Sequence, residues 1–390
     1  MNGHGALAAE DAAGETVAAV ALAQTISADE IALYDRQIRL WGVQAQESTR
    51  IRSANILLVS LRALGAEIAK NLILNGIGSL TIVDSEPATE DDLGAQYFLR
   101  EGDRAVAASP RLQELNPRVT VRVDPTDIRT RDQNFYHPYD IVIACDHDFD
   151  TLSIINAACR IAQRPFYAAA IHGFYGFIFA DLISHDYIIT RERSNVVTTV
   201  RPETPTRSVL AVSTKKENGK NIEMVTKREI YSPLLLANTS PLPPEYLKTA
   251  RKRRTVTPLL PCLRALWDFQ RTYSRLPTHV HADIATFTTL ATHKNAELQL
   301  EKLPSEFLRS FLQNLGSEIV PVAAFVGGRL AEDVINVLGK REQPLQNFAF
   351  FDGDGFVGQI YALHPIFPET DGNVNGESDG IGGTAPVMVL

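Results

Sequence analysis

Residues 60–65, SLRALG, join an apolar run (ANILLVS, 54–60) to a helical pattern (LGAEIAKNLILNG, 64–76). A G-x-G-x-x-G phosphate loop in this setting would place its glycines at 60, 62 and 65. The chain offers Ser60, Arg62 and Gly65. Such glycines permit a tight turn and let backbone approach a pyrophosphate, while the helix N-terminus supplies oriented N–H groups and partial positive charge. Arg62 puts a long side chain where backbone would have to meet phosphate. Asp84 follows Gly65 by nineteen residues and ends the next apolar run, where an acidic residue commonly binds ribose. The order of parts is that of a nucleotide site, but the loop is not. The residues favour a plainer reading, in which Gly65 allows close helix–sheet packing and Asp84 caps a strand.

Several elements must position these groups. Continuous apolar runs predict strands at 54–60, 79–84, 118–124, 140–146 and 165–170, separated by helical patterns at 64–76, 103–117 and 153–163. Pro110 predicts a kink or break in the second of these helices. Strands that are apolar throughout and alternate with helices indicate a parallel sheet covered on both faces. The predicted fold is α/β, a Rossmann-like doubly wound domain with an inserted, mainly helical module. From about residue 172 the rhythm changes: 173–182 and 185–190 read as antiparallel strands, 190–258 is weakly periodic, and 259–315 reads as helical. The expected division is a disordered tail at 1–27, a Rossmann-like domain at 28–182, a mixed and helical insertion at 183–317, a return to the core at 318–362 and a disordered tail at 363–390. Upstream of the first strand, Ser27 and Glu30 form an S-x-x-E capping box, and Gly42 supplies a helix stop. Between them Ile31, Tyr34, Ile38 and Trp41 make one apolar stripe, and Arg36 falls on the opposite side.

Composition narrows the chemistry. The 390 residues are 45% hydrophobic and 22% charged, with a formal net charge of −8. That charge argues against a general nucleic-acid binder. No run is long enough to predict a membrane span. The first thirty residues contain no Lys or Arg, which disfavours a secretory signal or a transit peptide. Cys145, Cys159 and Cys262 form no C-x-x-C pair, so neither a disulfide framework nor a structural zinc is expected. The FFDGDGF stretch lacks the spacing of a calcium loop and predicts a hairpin turn. The basic run at 248–255, KTARKRRT, is a candidate nuclear localisation signal or a solvated loop.

YDRQIRLWG, LGAEIAKNLILNGIGSLTIVD, LNP and PVAAFVGGRLAEDVINVL with QPLQNFAFFDG resemble the activating enzymes of ubiquitin-like modifiers. Within that family the likeness is to the small, non-thioester subunits that serve SUMO, and it covers about residues 30–182 and 318–360. The resemblance implies a pseudo-symmetric heterodimer. The large subunit would keep the working site for ATP and Mg²⁺ and the thioester cysteine. SUMO and a downstream conjugating enzyme would be the further partners, and the location would be the nucleus and also the cytoplasm. On this reading the site of the present chain is degenerate. Ser60, Arg62, Gly65 and Asp84 do not bind nucleotide, Leu93, Gly94 and Gln96 stand where active members carry an Asn and an Arg, Arg104 replaces a phosphate-binding lysine, and His147 stands where an Asp would hold magnesium, flanked by Asp146 and Asp148. No metal is expected in this chain. The Arg of the DRQIRLWG segment, Arg36 here, would reach the partner's ATP site in trans, as a catalytic and cofactor-binding residue. Cys262 lacks the Cys-Thr start of a thioester site and reads as a helix core residue. A NEDD8-type regulatory subunit, an NAD-dependent oxidoreductase and a self-sufficient adenylating enzyme are the alternatives.

Overall fold

The computed structural model describes residues 50–100, 102–193, 195–217, 219–355 and 357–365. Arg36, the Ser27–Glu30 capping box and the Ile31–Trp41 stripe lie outside the described residues. The first strands are β1 (Asn55–Val59), β2 (Ser79–Val83), β3 (Thr120–Asp124), β4 (Ile141–Cys145) and β5 (Phe166–His172). They pair in parallel in the order β3-β2-β1-β4-β5. Three antiparallel strands extend the sheet beyond β5: β6 (Tyr175–Asp181), then β10 (Phe348–Asp352) and β11 (Val357–Tyr361).

The two faces of β1 show why its sequence is apolar throughout. Ile56 and Leu58 enter one hydrophobic cluster, while Leu57 and Val59 enter the other. Alternate side chains of a strand point to opposite faces, so a strand covered on both sides cannot alternate in polarity. Helices α1 (Ala63–Leu74), α3 (Arg104–Leu115) and α11 (Val320–Gly339) cover the first face. Short α2 (Glu90–Ala95) lies between α1 and α3 in the chain. α4 (Phe149–Ile161) and helices of the insertion cover the second face. Gly327, in the FVGG block of α11, lies so close to α1 that a Cβ there would sit 3.0 Å from the Glu67 Cβ and 3.3 Å from the Ile68 nitrogen. The glycine lets the two helix backbones touch.

Pro110 neither breaks nor ends α3, which runs through it. A residue other than proline at 110 would have donated its N–H to the Val106 carbonyl. That carbonyl instead accepts from the Ser109 hydroxyl at 3.2 Å, and Pro110 itself faces solvent.

The 183–317 interval opens as a sheet. β7 (Ser184–Glu192), β8 (Arg207–Glu217) and β9 (Lys220–Ile230) form an antiparallel unit in the order β7-β9-β8. Helices follow: α5 (Leu234–Thr239), α6 (Pro244–Leu247), α7 (Ala250–Arg253), α8 (Leu259–Tyr273), α9 (His281–Glu297) and α10 (Ser305–Asn314). The chain then re-enters the core through α11. The FFDGDGF stretch forms the β10–β11 hairpin, its turn held by the Asp352 Oδ1, which accepts from the Asp354 and Gly355 nitrogens at 3.1 and 2.9 Å.

Candidate functional site

The parallel strands reverse their order of succession between β1 and β4. In a doubly wound sheet the crevice beyond the C-terminal ends of such strands is the usual ligand site. A polar cavity of about 300 Å³ lies there, lined by Ser60, Arg62, Asp84, Arg104, Asp127, Arg129, Asp146 and His147 among others. The structure thus gathers Ser60, Arg62, Asp84, Arg104 and His147 at one place. Gly65 lies just beneath, in the first turn of α1.

The loop into α1 turns sharply although two of its three glycine positions hold Ser60 and Arg62. Ser60 adopts a left-handed conformation with φ of 72°, which glycine would take without steric cost. Gly65 cannot be anything larger: a Cβ there would lie 2.2 Å from the Ser60 carbonyl oxygen. Its packing role is therefore direct, strand loop against helix.

Protein groups then hold the rest of the loop. The Ser60 nitrogen donates to the Val83 carbonyl at 2.9 Å, and the Leu61 nitrogen donates to Asp84 Oδ2 at 2.8 Å. The Leu61 carbonyl accepts from Gln96 at 2.8 Å. Arg62, at the N-cap of α1, pairs with Glu318 at 3.1 Å, and Glu318 also accepts from the Ala63 nitrogen at 3.4 Å.

Asp84 is equally committed. Besides Leu61 it accepts from the Glu86 nitrogen at 3.0 Å and pairs with Arg104 at 3.0 Å. Arg104 also pairs with Asp92 at 3.2 Å. Asp92 belongs to a capping box with Thr89, accepting from the Thr89 nitrogen at 2.9 Å and from its hydroxyl at 2.7 Å. The three charged side chains are 2%, 7% and 1% exposed, for Asp84, Arg104 and Asp92 respectively. Arg104 is therefore a buried clamp between two carboxylates. Its charge is neutralised within the protein by those two carboxylates.

At the end of β4, Asp146 is again left-handed, with φ of 56°. Burial and, next, the neighbouring Glu318 charge push its carboxyl up to about 7. Burial also raises Glu318, against the opposing pull of Arg62. Burial, followed by repulsion from Arg129, lowers His147. The His147 Nε2 and the Asp146 Oδ2 have no hydrogen-bond partner among the described residues. Asp148 is spent as the N-cap of α4, accepting from the Thr151 nitrogen at 2.9 Å and the Thr151 hydroxyl at 2.8 Å. Among the described residues, no group of three or more His, Cys, Asp or Glu side chains is placed to hold a metal ion.

Sequence reading missed Glu318. It lies 255 positions from Ala63 in the chain and meets the loop only because the re-entering segment crosses the sheet end. It also missed the Asp92 side of the Arg104 clamp, although T-x-x-D at 89–92 is a capping signal. All three cysteines are buried. Burial raises the thiol of Cys262 within α8 and that of Cys159 within α4.

The ThiF family model matches residues 34–363. The chain is 36% identical over 342 residues to the DNA damage tolerance protein RHC31 of Saccharomyces cerevisiae, covering 85% of this chain and 96% of that protein. It is 34% identical over 344 residues to SUMO-activating enzyme subunit 1 of Homo sapiens, covering 87% and 97%. It is 31% identical over 342 residues to the DNA damage tolerance protein rad31 of Schizosaccharomyces pombe, covering 87% and 98%. The matched span takes in the parallel sheet, the cavity, the insertion and the closing hairpin, and on that span the chain belongs to the ThiF family.

Proposed function

We propose that this chain is the small, non-thioester subunit of a SUMO-activating heterodimer. The observation that carries the reading is the near full-length similarity to proteins named SUMO-activating enzyme subunit 1. The geometry at the N-terminus of α1 supports it from the other side, because the place where a nucleotide's phosphates would meet α1 is taken by Glu318, paired with Arg62.

In this reading the large subunit holds ATP and Mg²⁺. The C-terminal carboxylate of SUMO attacks the α-phosphorus, and pyrophosphate leaves. A cysteine thiolate of the large subunit then takes the acyl group and releases AMP. The present chain contributes the second half of the pseudo-symmetric platform and Arg36. A guanidinium suits the transfer, since its planar donors match phosphate oxygens and stabilise charge that builds as pyrophosphate departs. A downstream conjugating enzyme receives SUMO from the complex. The assignment to the nucleus belongs to the same proposal, with Arg251 and Lys252 exposed on α7.

An oxidoreductase reading would require a dinucleotide pyrophosphate at the N-terminus of α1, where the Glu318 carboxylate lies. A subunit serving NEDD8 would share the fold, and the modifier accepted separates the two. Reconstitution with a candidate large subunit should give ATP-dependent thioester formation with SUMO and not with NEDD8. SUMO thioester that forms at full rate without this chain would refute the proposal.

A further inference from the structure

Glu318 sits on the segment that joins the helical insertion to α11. Three contacts fix that segment and the end of α10 to the end of β5 and the turn into β6. The Gly173 nitrogen donates to the Ser317 carbonyl at 2.7 Å, the Phe174 nitrogen donates to Asn314 Oδ1 at 3.2 Å, and the Gly316 nitrogen donates to His172 Nδ1 at 3.4 Å. α11 begins two residues after Glu318, and the Ile319 carbonyl accepts from the Val322 and Ala323 nitrogens at 2.9 Å. The carboxylate is thus delivered by a braced backbone rather than by a free loop. It is only 5% exposed.

Its partners are those an anion would choose. One oxygen faces the guanidinium of Arg62, and the other faces the Ala63 nitrogen, the first N–H of a twelve-residue helix. The helix N-terminus carries partial positive charge and free donors, so a carboxylate there is stabilised as a phosphate would be. A second observation marks the place as a ligand site rather than a helix end alone. Arg62, the partner of Glu318, lines the polar cavity together with Asp146 and His147, whose Oδ2 and Nε2 atoms are buried without a hydrogen-bond partner among the described residues. Groups of this kind belong in a polar pocket and are unusual in a closed core.

We propose that Glu318 is an internal stand-in for a phosphate anion, and that this carboxylate, more than the missing glycines, keeps pyrophosphate-type ligands off the N-terminus of α1 and off Arg62 at the cavity's edge. The inference rests on the reading that this chain does not hold the nucleotide, and it adds the residue responsible. The loop still makes its turn, through left-handed Ser60 and compact Gly65. What it lacks is an empty seat.

The test titrates inorganic pyrophosphate into the full chain by calorimetry, with folding checked by circular dichroism. Wild type should show no saturation at millimolar pyrophosphate. Glu318→Ala frees both the seat and Arg62 and should bind at least about tenfold more tightly than wild type. Glu318→Gln keeps the volume, removes the charge and should show a smaller gain. Adding Arg62→Ala to Glu318→Ala should abolish the gain. If the Glu318 variants are unfolded, millimolar pyrophosphate should restore their structure, and failure to restore it counts against the stand-in. Folded variants that gain no affinity overturn the inference while leaving the degenerate-site reading intact. Saturable binding by wild type overturns both.

Discussion

Replacing Arg104 by Ala distinguishes a buried clamp from a nucleotide ligand. The substitution leaves Asp84 and Asp92, both nearly inaccessible, without their shared cation. Removing one partner of a buried ion pair costs about 3–5 kcal/mol, because the remaining charge has lost its compensation. Two carboxylates are orphaned here, which argues for the upper end. Both retain donors, however: Asp84 keeps the Leu61 and Glu86 nitrogens, and Asp92 keeps Thr89. The lower end, about 3 kcal/mol, is the expected loss. In a chain of this size that corresponds to a fall in Tm on the order of 4 °C. The assay is thermal unfolding of the chain co-purified with its large subunit, alongside ATP–pyrophosphate exchange by the same sample. The expected outcome is a clear loss of stability, with exchange by the surviving folded complex within about twofold of wild type. Unchanged Tm together with a large rise in KM for ATP would refute the clamp and restore Arg104 as a phosphate ligand. A double-mutant cycle with Asp92→Asn should show coupling on the order of 1–3 kcal/mol.

Gly65→Ala should destabilise by about 2 kcal/mol or more, since its Cβ would overlap the Ser60 carbonyl, a backbone atom that cannot swing aside; chemical denaturation measures this. Asp146, raised to about 7, binds a proton in the folded state that the unfolded chain has released above about pH 4. Stability should therefore fall as pH rises from about 4 to 7, by up to about 1.4 kcal/mol per pH unit. Asp146→Asn should flatten that slope, as denaturant midpoints across the range would show. Cys262→Ala should leave SUMO thioester formation unchanged on non-reducing gels, because burial holds this thiol protonated inside α8.

The parallel sheet was legible because burial on both faces forces continuous apolar runs, as in β1, β2 and β4. β9 was not, although its burial alternates from residue to residue. Its inward face carries Glu223, Val225, Lys227 and Glu229, so a hydropathy reading sees no stripe. The charges are buried because each meets an opposite one: Glu223 with Arg191, Lys227 with Glu203, Glu229 with Arg207. Local sequence cannot reveal pairings that the fold makes across the sheet. The candidate site divides the same way. Ser60, Arg62, Gly65 and Asp84 were visible from spacing within one βαβ unit. The partners that determine what those residues do, Arg104 clamped by Asp92 and Arg62 neutralised by Glu318, depend on contacts made only after folding. Pro110 shows the converse, where a strong local signal for a break is outweighed by one hydroxyl that satisfies the orphaned carbonyl.

The central claim is that the heterodimer has one working nucleotide pocket and that it lies outside this chain. Equilibrium binding of ATP to the purified complex, combined with photo-cross-linking by an azido-ATP, tests this most directly. One ATP per heterodimer is expected, with label on the large subunit alone. Two ATP per heterodimer, or label on peptides of this chain containing residues 60–65 or 84, would contradict it.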